Sequence, residues 1–309
     1  MTKKLISIII NCFNGEKYLQ KALKSIQNQT YKNWEIIFWD NASSEKSKIL
    51  TKYYKNKKIK YFYNKVFTTL GEARNLAISN AQGTLIAFLD VDDYWEKDKL
   101  EKQVILFQRP EIGLVYTNSR IFSENNTIKH KMPIQKMPKG KVFKEMLSSY
   151  FIVMSSAMVR KKALKKLKIN FNPNFEIIEE YDVFLRIALF YEVDRVEEVL
   201  TNWRWHKFGT TASKRNLITK EKRILLKLYS LEFKNFSKKY YKDIKRVKDK
   251  IFVSICVNNF LNHNSQKCRK LLLSSKKLTI KGVALFLMSY LKPSFASRLY
   301  EKIKGNPLI

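Results

Sequence analysis

Asp90, Asp92 and Asp93 place three carboxylates within four positions, directly after the apolar run Leu85–Leu89. A short continuous apolar run reads as a strand buried on both faces. Carboxylates gathered at its end repel one another unless something cationic lies among them. In so basic a chain the cluster reads as a site, and a hard divalent cation with oxygen ligands suits it. The other reading is a solvated turn with a helix cap, because Trp95-Glu96-Lys97-Asp98-Lys99-Leu100 begins a helical pattern. A second acidic group, Glu179 and Glu180, opens a helical pattern with Val183, Phe184, Ile187 and Ala188 on one face. Both glutamates fall in the first turn, where the helix dipole favours negative charge. They are either part of a site or an ordinary acidic helix start. His206 stands in a polar stretch with Gly209-Thr210-Thr211 and is either a site residue or a solvated one.

The elements that must position these groups follow from periodicity. Leu5–Ile10 reads as a strand with Asn11-Cys12-Phe13-Asn14-Gly15 as its turn, and Tyr18, Leu19, Ala22, Leu23 and Ile26 follow at helical spacing. Trp34–Trp39 is a second strand ending at Asp40-Asn41-Ala42-Ser43-Ser44, and a helix is expected from Glu45 to Tyr54. Ile59–Tyr63 is a third strand, and Gly71–Ala81 is helical. The order βαβαβαβ predicts a mostly parallel sheet covered on both faces. Ligands of such sheets sit beyond the carboxyl ends of the strands. Asn11–Asn14, Asp40–Ser44 and Asp90–Asp93 all lie at such ends and are expected to converge on a nucleotide-plus-metal site. No GxGxxG follows the first strand and no GxxxxGK[ST] occurs, which speaks against the dinucleotide and P-loop sites.

Further along, the pattern predicts a helix from Glu96 to Phe107, a strand Gly113–Thr117 and an exposed excursion over 123–140. A strand Phe151–Val159 carrying Ser155-Ser156 and a short basic helix Lys161–Lys168 come next, then extended stretches Val193–Val199 and Leu200–Trp205. From Thr219 the chain reads as Lys-rich helix to its end. The expected organisation is a domain over 1–213, with halves 1–95 and 96–213, and a helical basic region over 214–309.

Of the 309 residues, 45% are hydrophobic, enough for a sizeable core. Lys and Arg number 60 against 27 acids, a net charge of +33. Such a balance implies an anionic partner: nucleic acid, anionic lipid or a phosphorylated substrate. Residues 214–309 carry 24 Lys and Arg against 5 acids, so the excess is concentrated there. Cys12, Cys256 and Cys268 form no CxxC pair, which fits a reducing cytoplasm. The apolar run after Met1-Thr2-Lys3-Lys4 is short and lacks a small-residue cleavage site, so it reads as a strand and not a signal peptide. The late run from Val283 to Leu291 is too short to span a bilayer.

In their order these motifs resemble the family-2 glycosyltransferases of GT-A fold. Ser7-Ile8-Ile9-Ile10-Asn11-Cys12-Phe13-Asn14-Gly15 matches their first strand and loop, and Ser25-Ile26-Gln27-Asn28-Gln29-Thr30 their "Si..Qt". Asp40-Asn41-Ala42-Ser43-Ser44 stands at "DDGS", Gly71-Glu72-Ala73-Arg74-Asn75 at "ARN", and Asp90-Val91-Asp92-Asp93 at the DxD motif. Glu179-Glu180-Tyr181-Asp182 with Arg186 matches "EDYDxxLR", and Trp203-Arg204-Trp205-His206 resembles "YRxH". The resemblance covers residues 5–213. Each motif is weak alone, but the ordered set is specific.

The resemblance implies an α/β GT-A fold and transfer of a sugar, with inversion, from a nucleoside diphosphate sugar, a UDP-sugar by expectation. The acceptor is a hydroxyl of a glycan or lipid-linked glycan in surface polysaccharide biosynthesis. It implies Mg²⁺ or Mn²⁺ neutralising the leaving diphosphate. Asp92 is the first metal ligand, Asp90 serves ribose or metal, and His206 binds metal or diphosphate. Phe13 and Asn14 line the base pocket, Asp40 and Asn41 read the base, and Val91 lies among the donor contacts. Arg74 braces the carboxylates or faces the diphosphate. Glu180 is the base that takes the acceptor proton, with Glu179 and Asp93 on the acceptor side. Two departures stand out. Glu180 replaces the family's Asp, and the segment between Asn64 and Gly71 lacks a common early glycine.

Residues 214–309 match no motif that carries chemistry. They read either as an attachment to anionic lipid, through Val283, Leu287, Tyr290 and Leu291 beside Lys281, Lys292 and Arg298, or as a helical packing subdomain with a solvated Lys face. The first reading makes the protein cytoplasmic and peripheral on the inner membrane face. Three rivals remain: a nucleic-acid-binding protein, a nucleotidyltransferase and a catalytically degenerate nucleotide-sugar-binding protein. Three acids at the site repel phosphates unless a metal intervenes, so nucleic acid is not an expected partner. Asn11–Lys17 lacks the Gly-rich basic loop of nucleotidyl transfer.

Overall fold

Strands β1 (Ile6–Cys12), β2 (Trp34–Asn41), β3 (Ile59–Asn64) and β4 (Leu85–Phe88) form the parallel part of one sheet. The computed structural model describes residues 4–44, 57–123, 128–131, 137–167, 169–206, 214, 217–262, 264–275 and 280–290. The helix expected over Glu45–Tyr54 lies outside them. Every residue of β2 is buried, and so is every residue of β4, and each carries a continuous apolar run, Ile36 to Trp39 in β2 and Leu85 to Phe88 in β4. Helix α1 (Glu16–Gln27) buries Leu19, Ala22, Leu23 and Ile26. Helix α2 (Leu70–Ser79) is capped by Thr69, whose side chain accepts the Glu72 N–H.

The spatial order β3-β2-β1-β4 puts the turning point of the topology between β1 and β4. Register sets what meets there. Cys12 pairs with Asp40, and Ile9 pairs with Phe88, so the loops after β1, β2 and β4 share one edge.

The sheet continues without a break through β5 (Tyr94–Trp95), helix α3 (Lys99–Leu106), β6 (Ile112–Ser123), β7 (Ile128–Lys131), helix α4 (Phe143–Ser148), β8 (Met158–Arg160), helix α5 (Lys161–Lys165), helix α6 (Glu179–Phe190) and β9 (Glu192–Trp205). The full order is β3-β2-β1-β4-β8-β6-β9-β5, with β7 beside β6. β8 is antiparallel to both its neighbours, while β6 and β9 run parallel.

Several expectations change here. The helix after the acids begins at Lys99 instead of Glu96, because Tyr94 and Trp95 pair with Asn202 and Thr201 of β9. The strand expected over Phe151–Val159 is only Met158–Arg160; Met154–Ser156 is a single 3₁₀ turn. Its cause is tertiary: the Ser155 hydroxyl is taken by the acidic turn and its carbonyl by Trp95 of β5, as described below. The excursion over 123–140 contains the strand β7. The two extended stretches after Val193 are one strand, with register shifts against β6.

Residues 1–215 form one compact unit and 216–309 another. The second unit comprises helices α7 (Leu217–Glu232), α8 (Phe236–Lys239), α9 (Tyr241–Leu261), α10 (Ser265–Leu273) and α11 (Ile280–Met288). Cys256, Phe260, Cys268, Leu272 and Met288 make one of its cores. Among the described residues no helix is long and apolar enough to cross a membrane. Of the residues expected to touch lipid, Val283, Leu287 and Tyr290 are 44%, 63% and 64% exposed. Leu291, Lys292 and Arg298 lie outside the described residues. All three cysteines are buried free thiols, and burial pushes Cys12 and Cys256 up to about 11.

Candidate active site

Beyond the carboxyl ends of β1 and β4 lies a cavity of about 470 Å³. That is within the size range of small-molecule sites, roughly 300–1,000 Å³. Its wall includes Phe13, Asn14, Arg74, Asp90, Val91, Asp92, Glu179, Glu180 and His206. These residues come from the ends of β1, β4 and β9 and the starts of α2 and α6, so five separate stretches converge.

The acidic turn is tightly wired. Asp93 N–H donates to the Asp90 carbonyl at 3.0 Å. Ser155 Oγ accepts the Asp90 N–H at 3.0 Å and donates to Asp93 Oδ2 at 2.5 Å. Asp93 Oδ1 accepts the Arg204 N–H at 2.8 Å, and Trp95 Nε1–H donates to the Ser155 carbonyl at 2.7 Å. Asp93 is therefore buried behind the turn, where burial, and then the charges of Asp92 and Asp90, raise its pKa well above the ordinary value. Asp90 and Asp92 stay on the cavity side, with side chains 37% and 23% exposed. Asp92 Oδ2 lies 3.0 Å from His206 Nε2. The Arg204 guanidinium holds this end of β9 down, donating to the Asp92 carbonyl at 2.9 Å and lying over the Tyr18 ring at 4.4 Å.

Gly15 sets Val91. A Cβ at position 15 would come within 2.6 Å of Val91 Cγ1, so only glycine lets the loop after β1 close onto the loop after β4. Asn14, at φ 51°, ties the same loop to the end of β2: its N–H donates to Ser43 Oγ and its Oδ1 accepts from Ser44 N–H.

Arg74 joins the two acidic groups. It is buried, with Nη1 at 2.6 Å from Glu179 Oε1 and Nη2 at 3.1 Å from Asp90 Oδ1. Glu179 Oε2 is buried and has no hydrogen-bond partner among the described residues. Glu180 is not in this clamp; its Oε1 accepts from the Tyr150 hydroxyl at 3.1 Å. Burial, opposed by the Arg74 charge and reinforced by Glu179 and Asp90, raises Glu180 to about 8. The helix N-terminus favours the ionised form, but only by about 0.3–1 kcal/mol, and here desolvation wins.

Asp40 and Asn41 are not on the cavity wall. Asp40 is fully buried, its oxygens taken by the Ser43 N–H at 3.0 Å and the Tyr61 hydroxyl at 2.9 Å. Asn41 staples Thr68 through three hydrogen bonds. Beside them Phe13, 51% exposed, packs on Phe67, 59% exposed, with ring centroids 4.7 Å apart. Phe67 falls in the segment that lacks the early glycine. Trp203 and Trp205 also line the cavity and Tyr150 touches Glu180; the tryptophans lie in the stretch that resembles "YRxH" but take no role from it, and Tyr150 has no motif of its own.

The glycosyl transferase family 2 model matches residues 7–168, more than half of the chain. An uncharacterized glycosyltransferase of Methanocaldococcus jannaschii is 33% identical over 210 residues, 66% of this chain and 72% of that protein. The UDP-Glc:alpha-D-GlcNAc-diphosphoundecaprenol beta-1,3-glucosyltransferase WfgD of Escherichia coli is 33% identical over 144 residues, 47% of this chain and 57% of its own length. Among solved structures, the mannosyltransferase PcManGT of Pyrobaculum calidifontis, in complex with GDP-Man and Mn²⁺, has a TM-score of 0.66 at 14% identity, over 99% of this chain and 83% of that one. Residues 1–349 of S. aureus TarS with UDP-GlcNAc give 0.58 at 14% identity, over 95% and 91%. At such identities the two structures establish the fold alone, and it is GT-A. The match of the family model and the archaeal relative carry the conclusion: this chain belongs to glycosyltransferase family 2.

Proposed function

We propose that this glycosyltransferase moves a sugar from a nucleoside diphosphate sugar to a hydroxyl of a glycan or lipid-linked glycan, with inversion, in surface polysaccharide biosynthesis. One observation carries the reading. The cavity has two acidic sides bridged by Arg74, and only Glu180 combines a place on the wall with a pKa near 8 and freedom from the clamp. The acceptor oxygen attacks the anomeric carbon from the Glu180 side, and its proton passes to Glu180. The bond from that carbon to the diphosphate oxygen breaks, and the electron pair leaves with the nucleoside diphosphate. Glu179 Oε2, buried without a partner, accepts from an acceptor hydroxyl. Asp93, wired into the turn, supports the acceptor side through that turn. Phe13, Asn14 and Val91 line the nucleotide side, over a frame made by Asp40 and Asn41. A UDP-sugar is the favoured donor, in keeping with the names of WfgD and of the TarS complex.

The donor set suits Mg²⁺ or Mn²⁺. Asp92 offers a cavity-facing carboxylate with the His206 imidazole in contact, and Asp90 keeps one oxygen clear of Arg74. Among the described residues no group of three or more His, Cys, Asp or Glu forms a self-contained metal site, so the remaining ligands would come from the diphosphate and water. The cation, when bound, neutralises charge on the departing diphosphate. The complex of PcManGT with Mn²⁺ supports this reading.

Glu180→Gln should nearly abolish transfer while leaving donor binding measurable; full activity in that variant would remove Glu180 as base. Calorimetry of the donor with Asp92→Asn should lose its dependence on the cation. Affinity that still follows the cation would refute the ligand assignment.

The C-terminal unit attaches to an anionic membrane surface in this reading, which places the enzyme on the inner face of the cell membrane. The exposed Val283, Leu287 and Tyr290 on a unit of high positive charge support it. Flotation with anionic vesicles should carry the full chain up and leave a Val283→Ser, Leu287→Ser, Tyr290→Ser variant behind. Equal flotation of the two would count against this face.

A further inference from the structure

We propose that the groove between α7 and α9 is a binding site for the phosphate of an anionic lipid, with the lipid's first carbons on the groove floor. The groove has a volume of about 650 Å³. Arg223 and Lys227 line it from α7, and Lys245 and Lys248 line it from α9. Spacings of four and three residues put each pair on one helical face, where like charges oppose each other. No Asp or Glu lines the groove, and none of these four cations is in an ion pair among the described residues. On α9 Asp243 pairs with Arg246, which does not line the groove. Crowding extends along the same two helices: burial, and then the charge of Lys250, lower the pKa of Lys222. Four converging cations without an acid favour an anionic occupant.

The rest of the groove says what else that occupant carries. Its floor is Leu226, Ile244 and Ile251, between 4% and 8% exposed. At one end the Ser237 and Ser230 hydroxyls meet at 2.9 Å, so a phosphate there finds hydroxyl groups as well as cations. Inorganic phosphate would leave the floor unused. A nucleic acid strand calls for a longer basic track with repeated stacking rings, whereas this groove is short and offers the single ring of Tyr241. A phosphate on an apolar stem uses both parts. The site is distinct from the membrane-facing residues of α11, because it selects a chemical group and not merely a charged surface.

The test uses the full chain and calorimetry with a short-chain phosphatidate kept below its micelle concentration. Parallel titrations use phosphatidylcholine of the same chain length, inorganic phosphate and a single-stranded oligonucleotide. The phosphatidate is expected to saturate one site, with inorganic phosphate at least about tenfold weaker and phosphatidylcholine silent. Lys245→Glu with Lys248→Glu should weaken phosphatidate by at least about tenfold, and the milder Lys245→Gln, Lys248→Gln pair should weaken it less. Lys267→Glu with Lys270→Glu, an equal charge change on α10 away from the groove, should leave it within about twofold, inside the spread of surface electrostatics. Equal loss in that control, inorganic phosphate binding as tightly as the lipid, tighter binding of the oligonucleotide, or no saturation would each overturn the proposal. Hydrolysis of donor without acceptor, followed in the same variants, reports on the catalytic reading separately and should not change.

Discussion

Glu180 is the residue on which the chemistry and the fold disagree most. Its folded-state pKa of about 8 lies above the ordinary 4.5. In the proposed role of base Glu180 must be ionised, so kcat/KM should climb with pH through about 8 and level off above it. Stability runs the other way. The benefit of a neutral Glu180 is fully present below the ordinary value and is lost as pH rises through about 8. Glu180→Gln keeps an acceptor for Tyr150 and removes the buried charge, so at pH 9 it should melt a few degrees higher than the parent while being inactive. A melting point equal to the parent's at that pH would contradict the sign. Tyr150 donates to the ionised carboxylate. Tyr150→Phe should move the rising limb of the rate profile up by about one pH unit, the worth of a hydrogen bond to a charged group. The acids were legible because carboxylates at strand and helix ends are conspicuous in a basic chain. Tyr150 was not, since a lone tyrosine between elements has no period and acquires its meaning only from Glu180, 30 residues away. The burial of Asp40 and Asn41 was equally hidden, because a polar pair at a strand end reads alike whether it faces a ligand or its own backbone.

At the scale of elements, the parallel strands were plain from their short apolar runs, and the acids that follow β4 drew attention to the edge where the cavity lies. What failed was local competition. Phe151–Val159 is apolar enough for a strand, yet Ser155 gives its hydroxyl to Asp90 and Asp93 and its carbonyl to Trp95. Those bonds hold the backbone in a 3₁₀ turn, and strand geometry resumes only at Met158. Likewise Trp95 looked like a helix start and became a ladder partner of β9. Pairings over such sequence distances leave no trace in local pattern. The turn around Ser155 carries a prediction of its own. Ser155→Ala strips a partner from a buried carboxylate and from the Asp90 N–H, a loss of about 1–3 kcal/mol. Denaturant melts should show that loss, and the donor KM should rise with it, because the turn that presents Asp90 and Asp92 is slackened.

For the molecule as a whole, the division of labour follows charge. The excess of cations is concentrated beyond residue 213, while the acids of the candidate site are all before it. That asymmetry was visible in composition; the groove between α7 and α9 was not, since helical periodicity reports a face and not the concavity between two of them. Attachment to an anionic surface through so basic a unit must depend on ionic strength. Near 1 M salt the screening length falls to about 3 Å, and vesicle flotation should drop sharply, with any residue of binding owed to Leu287 and Tyr290. Retention unaffected by salt would assign attachment to the apolar face alone.

Arg74 has one further consequence, in the order of events. Its single guanidinium is shared between Asp90, on the cavity wall, and Glu179, next in the chain to the proposed base Glu180. Whatever engages Asp90 frees positive charge toward the two glutamates and favours an ionised Glu180. If Glu180 is the base and the donor engages Asp90, as proposed, the base is armed by arrival of the donor and stands idle before it. Such a protein should follow a compulsory sequence, donor first and acceptor second. A dead-end acceptor analogue should then inhibit uncompetitively against donor, and competitive inhibition would show the order to be otherwise.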